Sequence, residues 1–288
     1  MPEPQLRTLP LHGKHVLVTR TRDQAGVLSE KLRAAGALPV ELPVIRIVPP
    51  NDWSPLDQAL RSLATSSAYD WLIFTSANGV KMALERLSTL DLVPQSLSTA
   101  RIAAIGPATA AALRQYGLAA DMVPDEYIAE SVAEALRKDT EARGESLAGK
   151  RILLARAAEA RQVLVTELEQ AGARVEVVAA YQTLPVAQDD ERGREVIALL
   201  RQQHLDILTF TSSSTVHHFM HWLSQAAPDI AILLAYPGNQ PTRPLVACIG
   251  PITAQTAREY GLEVGVEARE FTTAGLVEAI INYEENSK

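Results

Sequence analysis

Residues 71–84 read WLIFTSANGVKMAL, and this stretch decides the fold. Residues 71–74 form a short apolar run without alternation, as in a parallel strand covered on both faces. Ser76 and Asn78 are helix N-cap types, and Val80, Ala83, Leu84 and Leu87 then keep helical spacing. A buried strand that feeds a helix through a polar turn is the unit of an α/β fold. It also leaves backbone N–H groups without partners at the helix start, where an anion is favoured.

The stretch has a second copy. DILTFTSSSTVHHFMHWL from Asp206 matches DWLIFTSANGVKMALERL from Asp70, with Phe74 and Phe210, and Ser76 and Ser212, each 136 residues apart. VLVTR at 16–20 faces ILLAR at 152–156 at the same spacing, as does Gly36-Ala37 with Gly172-Ala173. AAIGPATAAALRQYGL from Ala103 matches ACIGPITAQTAREYGL from Ala247, here 144 residues on. The extra residues lie in the segment 228–244. Glu126-Tyr127 and Ser131 match Glu270-Phe271 and Gly275 at the same 144.

Taken in order, residues 1–13 lack periodicity and read as a loose lead-in. Strand 15–19, helix 25–35 closed by Gly36 and strand 37–42 make a βαβ unit, hence a right-handed crossover and a parallel sheet. Pro39 places 37–42 near a sheet edge. Pro43, Pro49 and Pro50 mark a crossing between domains. Helix 56–63, strand 71–75, helix 77–87 and strand 101–105 follow. Helix 108–116 has Pro107 at its start and Gly117 at its end. A short strand at 120–123 and a helix at 128–136 come next. Residues 137–145 read as a loop, since Asp139, Glu141, Arg143 and Glu145 offer no apolar face. Strand 151–154, helix 163–170 and strand 174–180 complete the middle portion, which the chain leaves through 181–185. The remainder is helix 195–202, strand 206–210, helix 214–223, a loop at 228–244, strand 245–249, and helices 252–260 and 273–281.

Block order predicts the domain layout. The middle of the chain runs FTS, IGP, then strand–helix–strand. The outer portion has its strand–helix–strand first and its FTS and IGP blocks last. Two similar α/β domains with parallel sheets flanked by helices follow. One is discontinuous, 1–43 plus 183–288; the other, 50–179, is inserted, with connectors at 44–49 and 180–185. Ligands in open parallel sheets lie beyond the carboxyl ends of the strands, so a cleft fed by both sets of loops is expected.

Composition bounds the function. The 288 residues suffice for two cores, and 47% hydrophobic with 21% charged is ordinary for a soluble protein. No apolar run approaches the roughly 18 residues of a membrane helix, and no signal peptide is read, which points to the cytoplasm and away from a membrane. A net charge of −7 without a basic block argues against nucleic acid. A strongly anionic small molecule is compatible where the local field of a cleft outweighs the global one. The one cysteine, Cys248, sits in LVACIG and reads as a buried small residue.

Thr75, Ser76 and Asn78, with Thr211, Ser212, Ser213 and Ser214, offer donors at matched strand ends. Capping is the simpler reading of any one of them; two matched copies favour anion binding. The IGPAT and IGPIT turns let a backbone approach closely at Gly106 and Gly250, and add Thr109 and Thr253. Neither fits G-x-G-x-x-G or G-x-x-x-x-G-K-[ST], so a dinucleotide or P-loop site is not supported. Arg20, Arg22, Arg156 and Arg161 follow strand ends. They suit carboxylate recognition, and equally suit solvated surface. His217 and His221 are four apart on a helix but lack a third ligand, so no metal site is assigned. Tyr181 stands where the inserted portion hands back to the outer one. It reads either as a proton donor or as a packing residue.

VLVTR at 16–20, FTSANGV at 74–80, IGPAT at 105–109, VAAYQT at 178–183, FTSSS at 210–214 and IGPIT at 249–253, in this order and spacing, resemble the uroporphyrinogen-III synthase family. The resemblance spans about residues 14–282. It implies two flavodoxin-like α/β domains joined by a two-strand connector. It implies hydroxymethylbilane as substrate, a linear tetrapyrrole with an acetate and a propionate on each ring. The terminal hydroxyl leaves as water, and the macrocycle closes with ring D inverted through a spiro intermediate. It implies no metal or organic cofactor, a cytoplasmic monomer, and Tyr181 as general acid. Substrate binding would fall to Arg20, Thr75, Ser76, Asn78, Gly106, Thr109, Arg156, Thr211, Ser212, Ser213, Gly250 and Thr253. Two departures stand out. Ala157, Ala158 and Ala160 occupy positions where many bacterial members carry glycine, and Ile252 replaces a second threonine. The competing reading is a two-domain small-anion binding or sensory protein without catalysis; a glycosyltransferase-like enzyme lacks a nucleotide-sugar motif here.

Overall fold

The computed structural model describes residues 9–66, 68–186, 191–236 and 243–286. The chain divides into two compact units, Met1–Arg46 with Leu184–Lys288, and Ile47–Thr183. Its elements begin with β1 (His15–Val18), α1 (Arg22–Ala34), β2 (Leu38–Glu41), β3 (Ile45–Val48), α2 (Ser54–Thr65), β4 (Trp71–Phe74) and α3 (Ala77–Thr89). Then come β5 (Arg101–Ala104), α4 (Pro107–Gln115), α5 (Ala129–Ala142), β6 (Arg151–Ala157), α6 (Val163–Gln170), β7 (Arg174–Pro185) and α7 (Glu191–Arg201). The last are β8 (Ile207–Phe210), α8 (Ser213–Ala226), α9 (Pro228–Ala235), β9 (Leu245–Cys248), α10 (Pro251–Glu259), β10 (Val264–Glu267) and α11 (Thr273–Asn286).

Each unit holds one five-stranded sheet, ordered β10-β9-β8-β1-β2 in the first and β3-β7-β6-β4-β5 in the second. The sequence repeat is a repeat of register. His15 pairs with Leu38 as Arg151 pairs with Arg174, in parallel. Val16 pairs with Ile207 as Ile152 pairs with Trp71, and Ile207 pairs with Leu245 as Trp71 pairs with Arg101. β2 lies at a sheet edge, which suits Pro39, whose nitrogen has no hydrogen to donate to a further strand.

The central strands are largely apolar because helices cover both faces, and the hydroxyl of buried Thr209 in β8 donates to the Leu17 carbonyl. In the second unit Leu72, Phe74, Leu153 and Ala155 pack with α2, α3 and α4, whereas Trp71, Ile73, Ile152 and Leu154 pack with α5 and α6. In the first, Leu17, Leu208, Phe210 and Cys248 face α7 to α10, and Val16, Val18, Ile207 and Ala247 face α1 and α11. Neighbouring residues thus enter opposite layers of one sandwich, and burial of each large apolar side chain contributes about 1.5–3 kcal/mol. Gly36 and Gly172, matched in the repeat, both take the left-handed conformation (φ 94° and 86°) that ends α1 and α6.

Several expectations are corrected. Residues 137–145 are not all loop, because α5 runs on to Ala142. Its outer face is held by ion pairs, Arg137 reaching both Glu134 and Glu141, while Leu136 and Thr140 extend the buried stripe of Val132 and Ala133. The expected loop 228–244 opens with α9, Pro228 at its first turn; residues 237–242 lie outside the described residues. The stretch 120–123 makes a single bridge, Ala103 with Met122, and its counterpart in the other unit is the full strand β10, which periodicity did not reveal. β7 continues past Ala180 to Pro185 as one strand. The lead-in is packed where described: Leu11 is fully buried and its N–H donates to the Ala35 carbonyl. Residues 1–8 lie outside the described residues.

Candidate active site

In the Ile47–Thr183 unit, parallel strands deliver polar groups to their carboxyl ends. β4 is followed by Thr75 and Ser76, and Ser76 caps α3, its Oγ accepting from the Gly79 N–H at 3.0 Å. The simple capping reading therefore holds for Ser76, but its Oγ also lies 3.0 Å from the Tyr181 hydroxyl, and either can donate. Tyr181 sits on β7 beside Ala157 at the end of β6. The residue is 7% exposed. Burial pushes its phenol above its ordinary range; the Ser76 hydrogen bond opposes that rise and Glu159 adds to it. It therefore holds its proton at neutral pH. The loop after β6 lies along this strand, the Ala158 N–H donating to the Tyr181 carbonyl at 2.9 Å and Glu159 accepting from the Thr183 N–H. Thr75 and Asn78 are half-buried beside the cap.

Arg156, near the end of β6, is 3% exposed. Its Nη1 donates to the Arg161 carbonyl at 2.6 Å and its Nη2 to Gln162 Oε1 at 3.1 Å, which shapes the loop it precedes. Its Nε is buried and without a hydrogen-bond partner among the described residues. Burial pulls its pKa down from the ordinary arginine value. No described carboxylate makes an ion pair with it. In the other unit Arg20, 136 residues earlier, is half-buried and repeats part of the arrangement. Its Nη2 donates to Gln24 Oε1 at 3.0 Å, its Nε is buried without a described partner, and burial lowers its pKa. Gln24 and Gln162 were missed from sequence; a glutamine a few residues after each matched arginine was the available signal.

The first unit presents Thr211, Ser212 and Ser213 after β8. Ser212 caps α8 in a capping box with Thr215, and Ser213 Oγ accepts from Thr256 Oγ1 at 2.8 Å. The IGP turns behave alike in both units. Gly106 and Gly250 are extended, and a Cβ on either would lie 3.0 Å from a ring, that of Tyr127 or of Phe271. The close approach read from the sequence is thus an aromatic ring of the same unit. Tyr127 and Phe271 appeared as matched repeat positions but carried no assigned role. Thr109 and Thr253 are buried in the first turns of α4 and α10. Pro107 and Pro251 open these helices, so the first-turn N–H groups that remain without acceptors belong to the residues after them. His217 meets the Tyr260 hydroxyl, and His221 meets Gln225.

Two copies of one parallel α/β module, each carrying at its strand ends helix-start amides, hydroxyls and an arginine with a buried Nε, define a two-module α/β protein, and one copy adds a phenol. A family model described as Uroporphyrinogen-III synthase HemD matches residues 26–278. The chain belongs to the uroporphyrinogen-III synthase family. It is 36% identical over 273 residues to the uroporphyrinogen-III synthase of Synechococcus elongatus, covering 94% of this chain and 96% of that protein. It is 30% identical to the porphyrin biosynthesis protein HemD of Ruminiclostridium josui, covering 94% of this chain and 49% of that one. In fold it is similar to a mutant uroporphyrinogen III synthase from Thermus thermophilus, with a TM-score of 0.64 at 20% identity over 95% of this chain and 99% of that one.

Proposed function

We propose that this chain is a cyclising lyase that converts hydroxymethylbilane to uroporphyrinogen III, with loss of water and inversion of ring D. One observation carries the reading of the site. Arg20, half-buried, and Arg156, buried, are matched cations at the strand ends, each with a buried Nε that no described group satisfies. A desolvated guanidinium with no counter-ion and an unsatisfied Nε is costly, and an arriving carboxylate relieves that cost. The substrate carries an acetate and a propionate on every ring, and each matched arginine suits such a carboxylate. Thr75, Asn78, Thr211, Ser212 and Ser213 add side-chain donors, and the turns at Gly106–Thr109 and Gly250–Thr253 add helix-start amides. A net charge of −7 is no obstacle, because the donors are local and dry.

Tyr181 is the group that touches the reacting atoms. Its phenol is protonated at neutral pH and gives its proton to the leaving hydroxyl, a step worth about 10²-fold or more. Fixing the ends of a flexible chain supplies several kcal/mol of the barrier, and oriented donors favour inversion over direct closure. We place the enzyme in the cytoplasm as a monomer; among the described residues no helix is long and apolar enough to cross a membrane.

The test uses purified protein and freshly generated hydroxymethylbilane, with the products oxidised and the porphyrin isomers separated. Isomer III in excess over the enzyme-free control is expected. Isomer I alone, as in that control, would eliminate the synthase reading and leave a binding protein.

A further inference from the structure

We propose that Ser76 is a positioning residue for the proton transfer. Its hydroxyl donates to the Tyr181 oxygen and so leaves the phenolic proton for the substrate. The inference rests on Tyr181 being the acid. Three observations support it. First, one Ser76 lone pair is already taken by the Gly79 N–H at 3.0 Å, which fixes the oxygen at the start of α3. Second, the Tyr181 oxygen at 3.0 Å is the acceptor that the described residues offer to the Ser76 proton. Third, the matched serine lacks this contact. Ser212 caps α8 in the same way, accepting from the Thr215 N–H at 3.2 Å, but at the 136-residue spacing Tyr181 is matched by Ile45. Capping is common to both copies; the hydroxyl pair belongs to one. Capping alone therefore leaves the Ser76–Tyr181 contact unexplained.

The chemistry follows from this placement. The Tyr181 proton moves to the hydroxyl of the substrate's terminal methylene. The carbon–oxygen bond breaks, its electron pair leaves with the oxygen, and water departs. The positive charge on the methylene is delocalised by the pyrrole nitrogen, and negative charge stays on the phenol oxygen. There the Ser76 O–H stabilises it, polarised by the Gly79 N–H at the positive end of α3. The proton that a ring carbon releases when the closed macrocycle regains aromaticity returns to the phenolate. Atoms and charge balance with water as the sole by-product.

The experiment compares steady-state formation of isomer III by wild type, Ser76→Ala, Ser76→Gly, Ser76→Thr, Tyr181→Phe and the Ser76→Ala/Tyr181→Phe double variant. Glycine caps a helix almost as well as serine, so Ser76→Gly keeps α3 while removing the hydroxyl. Ser76→Ala and Ser76→Gly should lower kcat by about tenfold or more, with KM within about twofold. Ser76→Thr restores hydroxyl and cap, and should keep kcat within about threefold of wild type. The double variant should be no slower than Tyr181→Phe, because the two residues act as one unit. A wild-type kcat in Ser76→Gly, a rise in KM alone, or losses that multiply in the double variant would overturn the role of Ser76 while Tyr181 stands. Wild-type turnover by Tyr181→Phe would instead remove the acid itself, and this inference with it.

Discussion

Gly106 has an extended backbone (φ −171°) that any residue adopts, so its missing side chain serves space. The ring of Tyr127 occupies that space, as the ring of Phe271 does at Gly250. Adding a methyl group there forces a ring to shift, and overpacking of this kind costs about 1–3 kcal/mol. Gly106→Ala should therefore lower the stability read from urea unfolding by that amount, and an unchanged midpoint would show that the ring yields freely. Cys248 offers a second residue-scale test. Burial pushes its thiol from the usual 9.0 up to about 12. Between those values the unfolded chain releases a proton that the folded chain keeps, so the unfolded state binds fewer protons and stability falls as pH rises. The contribution is complete below the unfolded value of 9.0 and lost toward about 12. Cys248→Ala should flatten that fall in urea titrations run at successive pH values; an equal slope would contradict the assignment. At this scale the sequence spoke plainly about residue kinds. Ser76 as a cap and Gly36 as a left-handed helix end were legible because both are local. The Ser76–Tyr181 and Gly106–Tyr127 contacts were not, because each joins residues that only the fold brings together.

Among the elements, α5 is the instructive case. Its last two turns carry Arg137, Lys138, Asp139, Glu141 and only one large apolar residue, Leu136, so hydrophobic spacing fades before the helix does. Ion pairs between positions three and four apart hold the exposed face, and Arg101 forks onto Asp139 from β5 while lying over the Trp71 ring. Lys138→Pro decides between loop and helix. Lys138 is exposed, so a loop would accept the change almost silently, whereas a helix interior loses about 3 kcal/mol. The large loss, read by chemical unfolding, is expected. The strands of the sheet centres were legible for the opposite reason: covered on both faces, they are dominated by apolar residues without a two-residue alternation. Edge strand β10, with Gly265 and Glu267 among its four residues, has one buried position and gives too weak a signal.

At the scale of the whole molecule, one module has been used twice and its order permuted along the chain. That was visible because the spacing between copies is constant at 136 and then 144, and the strand registers keep it. The sequence could not say which strand-end groups are buried, since burial belongs to the assembled sheet and its covering helices. The copies differ where chemistry differs. Both hold a cap and an arginine with a buried Nε, but at the matched position of Tyr181 the other copy has Ile45. The central claim of the proposal is therefore that the matched arginine of each unit meets a substrate carboxylate and that Tyr181 supplies the proton. Arg20→Met and Arg156→Met test it, since exchanging a buried or half-buried charge for an apolar chain of similar volume is tolerated by folds. Each single variant should raise KM for hydroxymethylbilane by about tenfold with kcat little changed, and the double variant should multiply the two effects. If only one of the two arginines affects KM, the unit carrying the silent one does not hold the substrate, and the account of a shared grip is wrong.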